Sequence, residues 1–179
     1  MRFVATLTLL LGILLTSGGS HAQETPPSKY QVKAAFLFNL AKFIQWPQEA
    51  FDDPKSPLFI GVLGENPFGA DLELTVREKT LNGRSLTIKE CRTLEEARKC
   101  HVLFISSSEK VRLQKILQGL SDTHVLSLGE MDNFVESGGM ISFFREGNKI
   151  RFEIKDETAK KAGLKIDSKL LGLAKKPVS

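Results

Sequence analysis

Two cysteines, Cys91 and Cys100, are all that this chain of 179 residues contains. That rules out a cross-linked scaffold and leaves at most one internal bridge. Histidine is scarce too, with His21, His101 and His124 the full set. A metal asks for three or four convergent ligands, and His101, His124 and Cys100, all at the starts of apolar runs, do not make such a set. No G-x-S-x-G, H-E-x-x-H or paired-carboxylate arrangement occurs. The glycines of Gly61-Val62-Leu63-Gly64-Glu65-Asn66-Pro67-Phe68-Gly69 fit neither a dinucleotide fingerprint nor a P-loop, and Glu65 would repel a phosphate. A phosphoreceiver domain needs an aspartate at the end of its third strand, where Ile105-Ser106-Ser107 supplies none. The expectation is a protein that is not an enzyme and needs no cofactor.

Long apolar runs are missing after the first residues. Arg2, the apolar run Leu7 to Leu15 and the small residues before Ala22 read as a secretory signal, residues 1–22, cleaved after Ala22. No cysteine follows the run to carry a lipid, and nothing later is long and apolar enough to span a bilayer. The mature chain is therefore expected outside the cytoplasm, in the periplasm of a bacterium. Cleavage removes one charge, Arg2, so Lys and Arg fall from 25 to 24 against 21 acids, an excess of +3. These charges are interspersed rather than clustered, which argues against nucleic acid.

What is present is an alternation of helix and strand signals. Residues 23–29, with Pro26-Pro27, form a flexible leader, and residues 30–179 suit one domain with its own core. Tyr30 to Trp46 lacks Gly and Pro and repeats apolar residues at helical spacing, with Ser28 as a candidate cap and Pro47 as the stop. Apolar runs at Leu58 to Leu63, Leu86 to Glu90, His101 to Ile105 and Val125 to Leu128 predict strands. Helices are expected between them at Pro67 to Lys79, from Thr93, and over Glu109 to Leu120. Two more follow Asp156 and Asp167. This order predicts an α/β fold with a mainly parallel four-stranded sheet flanked by helices, extended by a C-terminal antiparallel hairpin. A small ligand would then bind at the carboxyl ends of the strands, near Asn66 and Ser106 to Ser108, although turn and cap roles also account for those residues.

The hairpin is the most constrained stretch. Gly147-Asn148 separates two alternating runs, and a two-residue turn there pairs Glu146 with Lys149, Phe144 with Arg151 and Ile141 with Ile154. One face collects Ile141, Phe143, Ile150, Phe152 and Ile154; the other carries Ser142, Phe144, Glu146, Lys149, Arg151 and Glu153. Phe144 is left with three roles: burial under a helix, an interface anchor, or a cation–π pair with Arg151. Phe38, near the polar side of the first helix, is a second candidate contact residue. Cys91 and Cys100 flank Thr93-Leu94-Glu95-Glu96, a capping box whose helix would hold their Cα atoms too far apart for a disulfide, while an oxidising compartment favours one. Both states stay open.

Tyr30 to Asn39 running on to Phe43-Ile44-Gln45-Trp46-Pro47, then Cys100 to Ile105, then Gly138 to Ile141 with Asn148 to Ile154, Ala162 to Ile166 and Leu170-Leu171, together resemble the YfiR family. The resemblance runs from Tyr30 to about Lys175. It implies a periplasmic repressor that binds the periplasmic sensor region of an inner-membrane diguanylate cyclase, with release raising cyclic di-GMP and favouring biofilm. It also implies that the protein can form a homodimer and that disulfide state bears on stability. Val135, Glu136 and Ser142 stand where disulfide-bearing members carry cysteines, which leaves Cys91 and Cys100 as the only possible redox pair here. The partner-binding candidates are Phe38, Phe144, Arg151 and Glu153; the alternative function is a periplasmic small-ligand sensor.

Overall fold

The computed structural model describes residues 27–175. The segment read as a secretory signal, with its expected cleavage after Ala22, lies outside the described residues. Helix α1 spans Lys29–Ala41 and opens with a reciprocal capping box, in which the Ser28 hydroxyl accepts the Gln31 N–H at 3.1 Å and the Gln31 side chain accepts the Ser28 N–H at 2.8 Å. It ends a full turn before the expected stop at Pro47. Ile44–Gln45 forms strand β1 instead and pairs antiparallel with a distant two-residue strand, Ile44 opposite Ile166 and Gln45 opposite Lys165. That pairing supplies the hydrogen bonds helix would have given, and it buries Ile44 to 1% exposure.

Strand β2 (Leu58–Leu63), helix α2 (Asp71–Val76), strands β3 (Thr80–Leu81) and β4 (Arg84–Cys91), helix α3 (Leu94–Ala97) and strand β5 (Val102–Ile105) come next. Then follow a 3-10 turn at Ser107–Arg112, helix α4 (Leu113–Leu120), strands β6 (Leu126–Gly129), β7 (Ile141–Glu146) and β8 (Lys149–Ile154). Helix α5 (Asp156–Lys161), strand β9 (Lys165–Ile166) and helix α6 (Ser168–Leu173) finish the chain. The sheet is larger than four parallel strands: it has seven in the order β3-β4-β2-β5-β6-β7-β8, and it is mixed. Two local facts explain the difference. The first hairpin strand, β7, lies parallel to β6, with Leu128 opposite Ile141, so the hairpin enters the sheet rather than capping it. At the other edge, Asn82 and Gly83 both take left-handed backbone (φ 51° and 77°), closing a tight hairpin between β3 and β4.

The β7-β8 register is the one read from sequence, Ile141 opposite Ile154 through to Glu146 opposite Lys149, with Gly147 at φ 60° in the turn. One sheet face packs against α1, α2, α5 and α6, and the apolar face of the hairpin, Ile141, Phe143, Phe152 and Ile154, belongs to that core. The opposite face packs against α3, α4 and the turn carrying Phe134 and Val135. Phe134 is fully buried, pressed against the backbones of Gly129 and Gly139; a Cβ on either glycine would stand 2.4 or 2.1 Å from its ring.

Candidate partner face and buried thiol pair

The second sheet face loses its helical cover where it reaches the hairpin. There the strand alternation puts Phe144, Arg151 and Glu153 on one surface, as their sequence positions require. Phe144 is half-buried, and the cation beside its ring is Lys175, whose ammonium stands 5.4 Å from the centroid. Arg151 lies opposite Phe144 in register, yet its guanidinium turns to Glu146 at 3.3 Å. Glu146 also receives Lys175 at 2.7 Å, and the two cations, Lys175 first, hold its carboxyl below the usual range. Glu153 is half-buried, and burial followed by the nearby Glu136 charge raises its carboxyl. Lys175 thus completes a surface that the sequence showed only in part. Lys175 reaches it because its N–H donates to Phe152 O at 3.0 Å, a contact between chain positions that no periodicity links.

Phe38 does not share this surface. It is 6% exposed within the core on the other side of the sheet, and the ammonium groups of Lys42 and Lys79 lie 4.2 and 4.8 Å from its ring. Lysine side chains cover what the helical wheel left facing polar residues, so burial removes Phe38 from the contact candidates.

Cys91 ends β4, and Cys100 follows α3. That helix is a single turn, so the chain doubles back and the two sulfurs stand 3.7 Å apart, both buried and both free thiols. The capping box forms as its sequence implies, with the Thr93 hydroxyl accepting the Glu96 N–H at 3.2 Å, but the helix it opens is too short to keep the sulfurs apart. The contact between them lowers the Cys91 thiol and raises that of Cys100, which burial raises further. Gly61 on β2 makes room for the pair: a Cβ there would stand 2.5 Å from the Cys100 sulfur and 3.2 Å from that of Cys91.

The carboxyl ends of the strands are closed by their own hydrogen bonds. The Ser108 hydroxyl accepts the Glu65 N–H at 3.0 Å, and Asn66 binds Glu90 at 3.0 Å while accepting the Phe68 N–H at 2.9 Å. A larger opening, about 610 Å3, lies at the amino-terminal edge, where His101, His124 and Cys100 meet. His101 is locked as a neutral imidazole: its Nδ1 accepts the Phe59 N–H at 3.0 Å, and its Nε2–H donates to Ala50 O at 2.9 Å. Burial, ahead of the Arg84 and Lys89 charges, holds its pKa below the ordinary value.

The YfiR/HmsC-like family model (DUF4154) matches residues 30–175. The chain belongs to the YfiR/HmsC-like family. No curated protein matches it in sequence. Among solved structures it is similar to a conserved domain protein from Vibrio cholerae O1 biovar El Tor strain N16961, with a TM-score of 0.56 and 13% identity. That match covers 83% of this chain and 60% of the Vibrio chain, so this chain spans less than two thirds of that one, and the likeness speaks to fold. Among the described residues of this YfiR/HmsC-like chain, no helix is long and apolar enough to cross a membrane.

Proposed function

We propose that this protein works in the periplasm as a repressor of a membrane-bound diguanylate cyclase, acting by contact with the cyclase's periplasmic sensor region. The family match across residues 30–175 carries this reading. The hairpin surface of Phe144, Glu146, Arg151, Glu153 and Lys175 supports it as the contact site. It places an aromatic ring and an arginine, residue types enriched at interfaces, opposite one another on one face. Repression then requires that the cyclase's inactive shape bind this surface more tightly than its active shape, because only a difference in affinity moves an equilibrium. Cys91 and Cys100 are the proposed redox element, since buried thiols 3.7 Å apart in an oxidising compartment are placed to be oxidised to a disulfide.

Deleting the gene is expected to raise cellular cyclic di-GMP and biofilm; unchanged levels across several growth conditions overturn the proposal. Phe144→Ala and Arg151→Glu are expected to release repression while the purified proteins keep a native melting temperature. Retained repression in both folded variants moves the contact site off the hairpin. A homodimer, which the family resemblance also implies, is read by light scattering on the same preparations.

A further inference from the structure

A cavity of about 370 Å3 opens where the last turns of α4, the segment leading into β7 and helix α5 meet. Neither the hairpin face nor the thiol pair lines it, so it is separate from both. Its floor is apolar and buried, with Leu117 and Leu120 from α4, Met140 just before β7 and Ala162 just after α5. One polar side chain is set into that floor. Ser127, on β6, is 2% exposed, and its hydroxyl accepts the Met140 N–H at 3.1 Å. That bond has a structural reason. The β6-β7 ladder begins with Leu128 opposite Ile141, so the Met140 N–H falls just short of it and needs another acceptor. The bond accounts for one lone pair of the oxygen and leaves the O–H to donate. Among the described residues, that proton meets no acceptor.

A buried donor without an acceptor, at the bottom of an apolar cavity, is complementary to one acceptor atom on an otherwise apolar molecule. Nothing at the mouth selects a charge. The Lys155 ammonium is turned to Val135 O at 3.3 Å, and Glu157 and Lys161, one turn apart on α5, carry opposite signs. A carboxylate or an amine brought down to the floor would give up its hydration to leucine and methionine side chains. A hydrocarbon would seal the Ser127 proton from water without pairing it. We propose that this cavity binds a small neutral molecule with an apolar body and one carbonyl group, of the ketone, ester or lactone class. The carbonyl oxygen accepts the Ser127 O–H, and the body lies against Leu117, Leu120 and Met140. The volume stands at the small end of the range for such sites, about 300–1,000 Å3. Binding here is independent of the hairpin surface and of any partner.

Acetophenone is a suitable probe, with ethylbenzene as the match that lacks the carbonyl and benzoate as the charged match. Each is titrated into the whole protein and followed by the methyl signals of Leu117, Leu120 and Met140 in two-dimensional NMR. Acetophenone is expected to shift those signals saturably, and ethylbenzene and benzoate to bind about threefold to tenfold more weakly, the loss of one hydrogen bond. Ser127→Ala should bring acetophenone down to the affinity of ethylbenzene. That variant also strands the Met140 N–H, so a second one, Thr158→Phe, fills the cavity from its half-buried rim on α5 and should abolish binding of both while the melting temperature stays native. No saturable shift at the three methyl groups, ethylbenzene or benzoate binding as tightly as acetophenone, or undiminished binding in folded Thr158→Phe overturns the proposal.

Discussion

Gly61 has a role set entirely by what sits beside it. Filling the space it leaves, as Gly61→Ala does, forces a methyl to within 2.5 Å of the Cys100 sulfur in a sheet where β4 and β5 flank β2 on both sides. Overpacking of this kind costs about 1–3 kcal/mol, read as a lower urea midpoint with an unchanged slope. Adding Cys100→Ala should recover part of that loss, and strict additivity in the double variant would show that the sulfur is not the obstacle. His101 offers a second residue-level test. Its imidazole stays neutral in the fold, whereas in the unfolded chain it takes up a proton near pH 6.5. The unfolded state therefore binds more protons below that pH, and stability falls as pH drops from about 6.5 towards the depressed folded value. His101→Gln should flatten that part of the pH–stability curve, and an unaltered slope would assign it to other groups. Neither role was legible beforehand. A glycine in an apolar run and a histidine at its start look alike whether they touch solvent or sulfur, because the neighbours that decide come from other strands.

At the scale of elements, legibility followed how local the determining interactions are. The β7-β8 register could be read residue by residue, since a two-residue turn and a period of two leave one pairing that buries Phe143 with Phe152. The Ser28 and Thr93 caps were readable for the same reason, each being a contact across three residues. Strand β1 was not. Its sequence continues the helical stripe of α1, and it becomes a strand only because Lys165–Ile166, some 120 residues on, lies beside it. The β3-β4 hairpin was missed although Asn82-Gly83 is a strong turn signal, because two residues of β3 are too few to show alternation. The hairpin turn gives the element-level prediction. Gly147 holds φ 60°, where an L side chain costs about 1–2 kcal/mol, so Gly147→Ala should lower stability by that amount without moving the β7-β8 register. Amide exchange along β7 and β8 is the check. Protection lost at Phe144 and Arg151, whose N–H groups point across to the partner strand, would mean that the turn sets the pairing, and protection kept there would mean that the apolar face does.

Across the whole molecule, α1 is attached to the sheet by more than its apolar stripe. Lys33 is 6% exposed, an unusual place for an ammonium, and it is paired there with Glu130, the residue just past β6. The Tyr30 hydroxyl donates to the same carboxylate at 3.1 Å, and burial, then the Glu130 charge, raises the phenol's pKa. Tyr30 in turn packs edge-on against Phe68, and Phe68 against Phe104 in the centre of the sheet. Tyr30 and Lys33 open the first stretch that resembles the family, yet the helical pattern marks Lys33 as nothing more than a break in an apolar run. A buried ion pair adds little by itself, because desolvation offsets most of the Coulomb attraction, but breaking one side strands the other. Glu130→Leu should therefore cost about 3–5 kcal/mol by leaving the Lys33 ammonium buried without a partner. The paired change Lys33→Met with Glu130→Leu removes both charges and should regain most of that loss, since two apolar side chains of similar length fill the same space. Urea unfolding of the two single variants and the double measures the cycle. A double variant as unstable as Glu130→Leu alone would show that the Tyr30 hydrogen bond, lost in both, is what fastens the helix.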